Sequence, residues 1–155
     1  MQSSLKEYNF EEDIKNDRFE EIFAKDYWGE NSYVVSKGYF PDYDVKDLDT
    51  GETYEIKRDY IFEKTKNVLV EEWYNLQEKK KGWVFHTKAD WLVVFIRDDC
   101  YYITSMYPII NSFFNKIHKW IKKDIHQKCG FVTRNWVTKL YHFEHDIYKI
   151  NDDLC

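Results

Sequence analysis

Apolar residues recur along this chain in two periods, and the switches between them mark out its elements. Over 11–28, Phe19, Ile22, Phe23 and Tyr27 fall at helical spacing among charged residues, which predicts a helix. Gly29 stands where that helix would stop. Tyr33-Val34-Val35 predicts a first strand, and Lys37-Gly38 a turn. From Tyr39 to Val45 the pattern alternates, with Tyr43 and Val45 on one face and Asp42 and Asp44 on the other. Residues 47–52 read as a turn, with Gly51 at its flexible position. Thr53 to Lys57 returns as a strand. Its Tyr54 and Ile56 face one way and Glu55 and Lys57 the other, so the two segments predict a hairpin.

Asn67 to Glu71 predicts another strand, and 75–82, with Lys79-Lys80-Lys81-Gly82, a polar loop. Trp91 to Ile96 is nearly all apolar, as expected of a strand buried on both faces. Asp98-Asp99 marks a turn, and Tyr101 to Thr104 reads as the hairpin partner. From Pro108 to Gln127, apolar residues from Ile109 to Ile121 return to helical spacing. Phe131 to Ile150 reads as a strand followed by a short turn. Helix, central strands, helix is the order of an α/β or α+β domain, and residues 1–155 are expected to form one.

Composition narrows the class. With 43% hydrophobic residues, 19% aromatic residues, five Gly and two Pro, the chain has the makings of a packed core rather than a disordered segment. No apolar run reaches the length of a membrane span and no signal core is visible, so the expected location is cytoplasmic. Cys100, Cys129 and Cys155 are far apart and odd in number, which predicts ordinary thiols. The net charge of −5 argues against a strongly basic nucleic-acid binder, but it is unevenly spread. Residues 1–75 hold 10 Lys and Arg against 19 Asp and Glu, whereas 76–155 hold 13 against 9. Carboxylates for a cation in one half and phosphate contacts in the other fit a metal-dependent nuclease.

The predicted hairpin supplies the candidate chemistry. Asp44 and Glu55 lie on the polar faces of partner strands and can converge on one ion; Lys57 shares the face of Glu55. Cleaving a phosphodiester needs an ion held by hard oxygen donors, an activated water and a cation for the developing charge. Glu-x-Lys alone is a common tripeptide, most often part of a solvated face.

Pro41-Asp42-Tyr43-Asp44 followed by Glu55-Ile56-Lys57 resembles the PD-(D/E)XK nuclease signature. The nearest members are small phage-type endonucleases and archaeal-type Holliday junction resolvases. Val68-Leu69-Val70-Glu71 and Thr87-Lys88-Ala89-Asp90 extend the likeness, which covers roughly 12–104. The resemblance implies a restriction-endonuclease-like core, a mixed central sheet flanked by helices. It implies Mg²⁺ or Mn²⁺ held by Asp44, Glu55 and the backbone carbonyl of Ile56, with Asp42 as the alternative to Asp44. Lys57 would position the water, and the helix carboxylate would be Glu20 or Glu21, with Glu20 favoured because it borders the apolar face of the first helix whereas Glu21 points away. It further implies a DNA substrate, duplex or branched, and for resolvases a homodimer. Thr87 and Lys88, with Lys116, Lys119 and Lys123 on a basic surface of the predicted 108–127 helix, are the candidate nucleic-acid contacts. The alternative is an inactive nuclease-fold module that binds nucleic acid or a protein.

Overall fold

The computed structural model describes residues 18–29, 32–36 and 42–150. They form a mixed α+β structure built on two sheets. The first helix, α1, spans Phe19–Trp28. It ends as expected, with Gly29 at φ 81° donating its N–H to the Lys25 carbonyl. The expected helical residues before 18, and the Pro41 end of the signature, lie outside the described residues.

Strands β1 (Tyr33–Val35), β2 (Val45–Asp47) and β3 (Thr53–Arg58) follow as an antiparallel meander. Gly51, at φ 78°, turns the chain between the last two. A single helical turn, α2 (Phe62–Thr65), leads to β4 (Asn67–Asn75), and the two-residue β5 (Lys80–Lys81) pairs back onto it. Lys80 and Lys81 are therefore strand rather than loop. Strands β6 (Trp91–Arg97) and β7 (Cys100–Ser105) form the expected hairpin, with β6 parallel to β3. The first sheet runs β1-β2-β3-β6-β7-β10, where β10 is His145–Lys149. The second runs β5-β4-β9-β8, with β8 at Ile121–His126 and β9 at Val132–Lys139.

The expected helix over 108–127 is corrected. Helix α3 covers only Met106–Asn115 and stops at Lys116, which takes the left-handed conformation at φ 54°. Beyond it, β8 pairs antiparallel with residues 132–137 of β9 as an edge strand. Ile117 and Ile121 suit a helical period, whereas Ile121 and Ile125 fit a strand equally well; the ladder with β9 decides between them. The same correction applies to the tail, whose second half adds β10 to the first sheet instead of ending in a turn.

Strand β6 divides the core, as its apolar run predicts. Val93 and Phe95 meet α1 (Phe19, Ile22, Phe23) together with Tyr54 and Ile56 of β3. Leu92, Val94 and Ile96 meet Val68 and Val70 of β4, Met106 and Ile109 of α3, and Trp83. Cys100 is buried and disulfide-bonded, which corrects its reading as an ordinary thiol; Cys129 is an exposed free thiol. Among the described residues, no helix is long and apolar enough to cross a membrane.

Candidate active site

Because Tyr54 and Ile56 face α1, Glu55 and Lys57 must point to the opposite side of β3, toward the second sheet. Glu55 is only 5% exposed. One of its oxygens, Oε1, lies 2.9 Å from the Lys57 ammonium, and Oε2 accepts from the Thr87 hydroxyl at 3.4 Å. The ammonium also lies 5.6 Å from the centre of the Trp83 ring.

Asp44 stands immediately before β2, where the ladder to β3 has ended. Its own N–H donates to the Tyr54 carbonyl at 2.9 Å, and its Oδ2 accepts the Ile56 N–H at 2.7 Å. In a strand the N–H and C=O of one residue leave the same edge, so the Ile56 carbonyl projects toward Asp44 as well. Asp42 is placed differently. Its carboxylate pairs with Lys88 at 3.7 Å, and its carbonyl accepts the Lys88 N–H at 2.7 Å. Of the two aspartates, Asp44 is the one fastened to the Glu55–Lys57 strand.

The Thr87–Asp90 segment ties this arrangement together. Asp90 Oδ2 accepts the Thr53 N–H at 2.9 Å at the start of β3, Lys88 holds the Asp42 backbone, and Thr87 reaches Glu55. Thr87 is thus a support for Glu55. The Lys88 side chain is 75% exposed beside Asp42.

Charge crowding is the electrostatic signature of the site. Burial raises the pKa of Glu55, and the nearby Asp44 carboxylate raises it further, against the pull of Lys57. Burial likewise raises Asp44, opposed by the Ile56 N–H and Lys57. Glu20 of α1 joins the group: burial raises its pKa, and it feels both the Asp44 and the Lys57 charges. For Lys57, burial disfavours the ammonium, but Glu55, Asp44 and Glu71 outweigh it and its pKa is raised.

Glu71 is the member that reading the sequence for site residues overlooked. It ends the apolar run of β4, comes from the second sheet, and is raised by burial while Lys57 pulls it down. Its position depends on Gly82. A Cβ on Gly82 would come within 2.2 Å of the Glu71 carbonyl oxygen, so only glycine allows the chain to pass there and carry Trp83 beneath Lys57.

The basic residues divide. In an antiparallel ladder, directly paired residues share a face. Lys123 pairs with Asn135, and Asn135 with Glu71, so Lys123 is in the cross-strand row that leads to the site. Its charge also reaches Asp59, at the end of β3. Lys122 pairs with Trp136 on the other face. Lys116 and Lys119 lie on that side too, lining a cleft with Phe114, Trp120 and Trp136, and do not join the Lys57 cluster.

The donor set fits a hard divalent cation in kind. A carboxylate just before β2, one on β3 and the Ile56 carbonyl are the kind of oxygen donors such an ion prefers, with water completing the shell. Among the described residues, no three His, Cys, Asp or Glu converge as a metal-binding group, so further oxygens would have to come from backbone and solvent. Compared with known proteins, the chain matches no family model, no curated protein and no solved structure.

Proposed function

We propose that this chain is a Mg²⁺- or Mn²⁺-dependent endonuclease with a restriction-endonuclease-like core, hydrolysing DNA phosphodiester bonds. The observation that carries the reading is the geometry of β3: Asp44 is fastened to it through the Ile56 N–H at 2.7 Å, and Glu55 on the same strand is paired with Lys57 at 2.9 Å. Such a concentration of half-buried charge is costly to fold and is characteristic of sites that use it. A mixed sheet flanked by helices agrees with the fold that the PD-(D/E)XK resemblance implies.

In this reading Asp44, Glu55 and the Ile56 carbonyl hold the ion, which supplies charge neutralisation and Lewis-acid polarisation of the phosphate. Lys57 orients the attacking water and faces the charge that develops on the phosphate. Thr87 keeps Glu55 in place, and Glu20 closes the acidic side of the pocket. Water adds to phosphorus, the bond to the 3′ oxygen breaks, and a proton passes to that oxygen. The products are a 5′-phosphate and a 3′-hydroxyl. A homodimer would place two such sites on paired strands. Metal-dependent nicking of supercoiled plasmid, measured for the wild type and for Lys57→Ala, tests the reading; nicking by the wild type that survives unchanged in Lys57→Ala overturns it.

A second reading has its own observation. Both Glu55 oxygens are engaged, one by Lys57 and one by Thr87. A pocket that neutralises itself in this way also suits an inactive nuclease-fold module that binds nucleic acid or protein. Binding without nicking in either Mg²⁺ or Mn²⁺ would select it.

A further inference from the structure

Around the Trp83–Phe85 turn is a group of aromatic rings that the proposed chemistry does not use. Phe85 and Phe114 are 39% and 48% exposed and meet edge to face, with ring centres 5.7 Å apart. The Trp73 ring centre lies 6.4 Å from that of Phe85, and the Lys81 ammonium stands 5.2 Å from the Phe85 ring centre. Burying these rings would be favourable, and the described chain leaves them open to solvent.

Their location is informative. Phe85 is the last residue of a short 3₁₀ turn, Trp83–Phe85. Two residues before it, Trp83 lies under Lys57; two residues after it, Thr87 reaches Glu55. Phe85 is therefore flanked along the chain by two residues that touch the proposed site. At the far edge Phe114 continues into the cleft lined by Lys116, Lys119, Trp120 and Trp136. Glu72 also lines that cleft, but its Oε1 is engaged by the Trp136 indole N–H at 3.2 Å. Exposed aromatic rings with a lysine beside Phe85 and two in the cleft that Phe114 lines match a single nucleic-acid strand, whose bases stack while its phosphates seek positive charge.

We propose that Phe85 and Phe114 form a stacking platform for unpaired bases, so that the preferred substrate is DNA with a single-stranded arm. This rests on the nuclease reading and names its substrate class. Intact duplex keeps its bases stacked on each other and cannot use the platform, whereas a flap or the arm of a branch can.

The test is binding by fluorescence anisotropy, with Ca²⁺ in place of Mg²⁺, to three labelled DNAs: a blunt duplex, the same duplex with a single-stranded flap, and the free strand. The wild type should favour the two DNAs with unpaired bases. Phe85→Leu combined with Phe114→Leu, which keeps apolar bulk and removes the ring faces, should weaken both by about tenfold or more and leave the blunt duplex within about twofold. Phe85→Trp should retain the preference. Equal affinity of the double variant and the wild type on all three DNAs overturns the platform and leaves a protein partner as its occupant; an equal loss on all three overturns the selectivity. Wild-type protein that nicks plasmid but shows no preference fails this inference alone. Wild-type protein that neither nicks nor binds fails the nuclease reading with it.

Discussion

Two charged regions of this molecule differ in how their charges are held. Around Lys57, carboxylates of α1, β3 and β4 and the one preceding β2 are partly out of water and feel one another's charge or that of Lys57, with Asp44 fixed by the Ile56 N–H and Glu55 by Lys57 and Thr87. On the stretch from Lys116 to Lys123 the lysines stand in solvent, at a helix end, in a loop and on an edge strand. Charge in the first region is expensive and narrowly placed, so altering it should change stability and, on the nuclease reading, chemistry as well. Charge in the second costs little to hold, and on the nuclease reading it would act at longer range on phosphates, so altering it should change binding by small increments.

The largest expected effect is Lys57→Ala. It should lower metal-dependent nicking by about two to three orders of magnitude, the usual cost of losing one charge aimed at a reacting group, with little change in DNA affinity. Steady-state cleavage alongside anisotropy checks this, and added Mn²⁺ should not restore activity. Glu55→Gln, which keeps the size but loses a charged donor, should respond in part to excess Mn²⁺.

Next in size is the effect of metal on stability. An ion that binds only the folded pocket should stabilise by about 2.7 kcal/mol at a hundred times its dissociation constant. Thermal melts with EDTA and with Mn²⁺ measure this, and Asp44→Ala should abolish the difference. Identical melts in both conditions would break the contrast between the two regions.

Gly82→Ala should destabilise by about 1–3 kcal/mol, the usual range for overpacking, because the added methyl meets the Glu71 backbone at 2.2 Å. Gly130→Ala, in the turn between β8 and β9, makes the control. Nothing lies within 4 Å of its Cβ position, and only its φ of 93° resists the change. Denaturant titration of both variants should show the larger loss at Gly82.

A smaller effect has a definite sign in pH. The folded-state pKa of Glu20 is raised above its ordinary 4.5, chiefly by burial. Its contribution to stability is therefore fully present below 4.5 and is lost as pH rises through the folded value. Without metal, Glu20→Gln should be more stable than wild type at pH 7, and this advantage should disappear on acidification below 4.5. Melts at the two pH values check it; an advantage that grows in acid would contradict the crowding argument.

The smallest effects belong to the exposed lysines. Neutralising Lys123 should lower DNA affinity modestly and reduce the salt dependence of binding by about one counterion. Lys122→Ala, on the opposite face of the same strand, should do less. Salt titrations of the two variants compare faces of β8 directly.

Much of this arrangement is legible in the order of residues alone. Alternation in Thr53–Lys57 separates Glu55 and Lys57 from Tyr54 and Ile56, and the two pairs do lie on opposite sides of β3. The apolar run of Trp91–Ile96 is a central strand, packed on both faces. The helix ending at Gly29 and the turn at Gly51 follow from the backbone freedom each position requires. These are local properties, decided by side-chain period and by φ, and they hold whatever the neighbours are.

The remainder involves partners far along the chain. Ile117 to Ile125 satisfies two periods, and pairing with β9 made Ile121–His126 a strand, which separated Lys123 from Lys116 and Lys119. Asp42 and Asp44 share a face in the alternating pattern; the Ile56 N–H took one and Lys88 the other. Glu71 has no spacing that links it to Lys57, because it arrives from a different sheet past a glycine that nothing else could replace. Local pattern is enough to say which residues are polar on each strand. Convergence of charge depends on how separate elements dock, and docking is settled by burial and long-range hydrogen bonds that no local pattern contains.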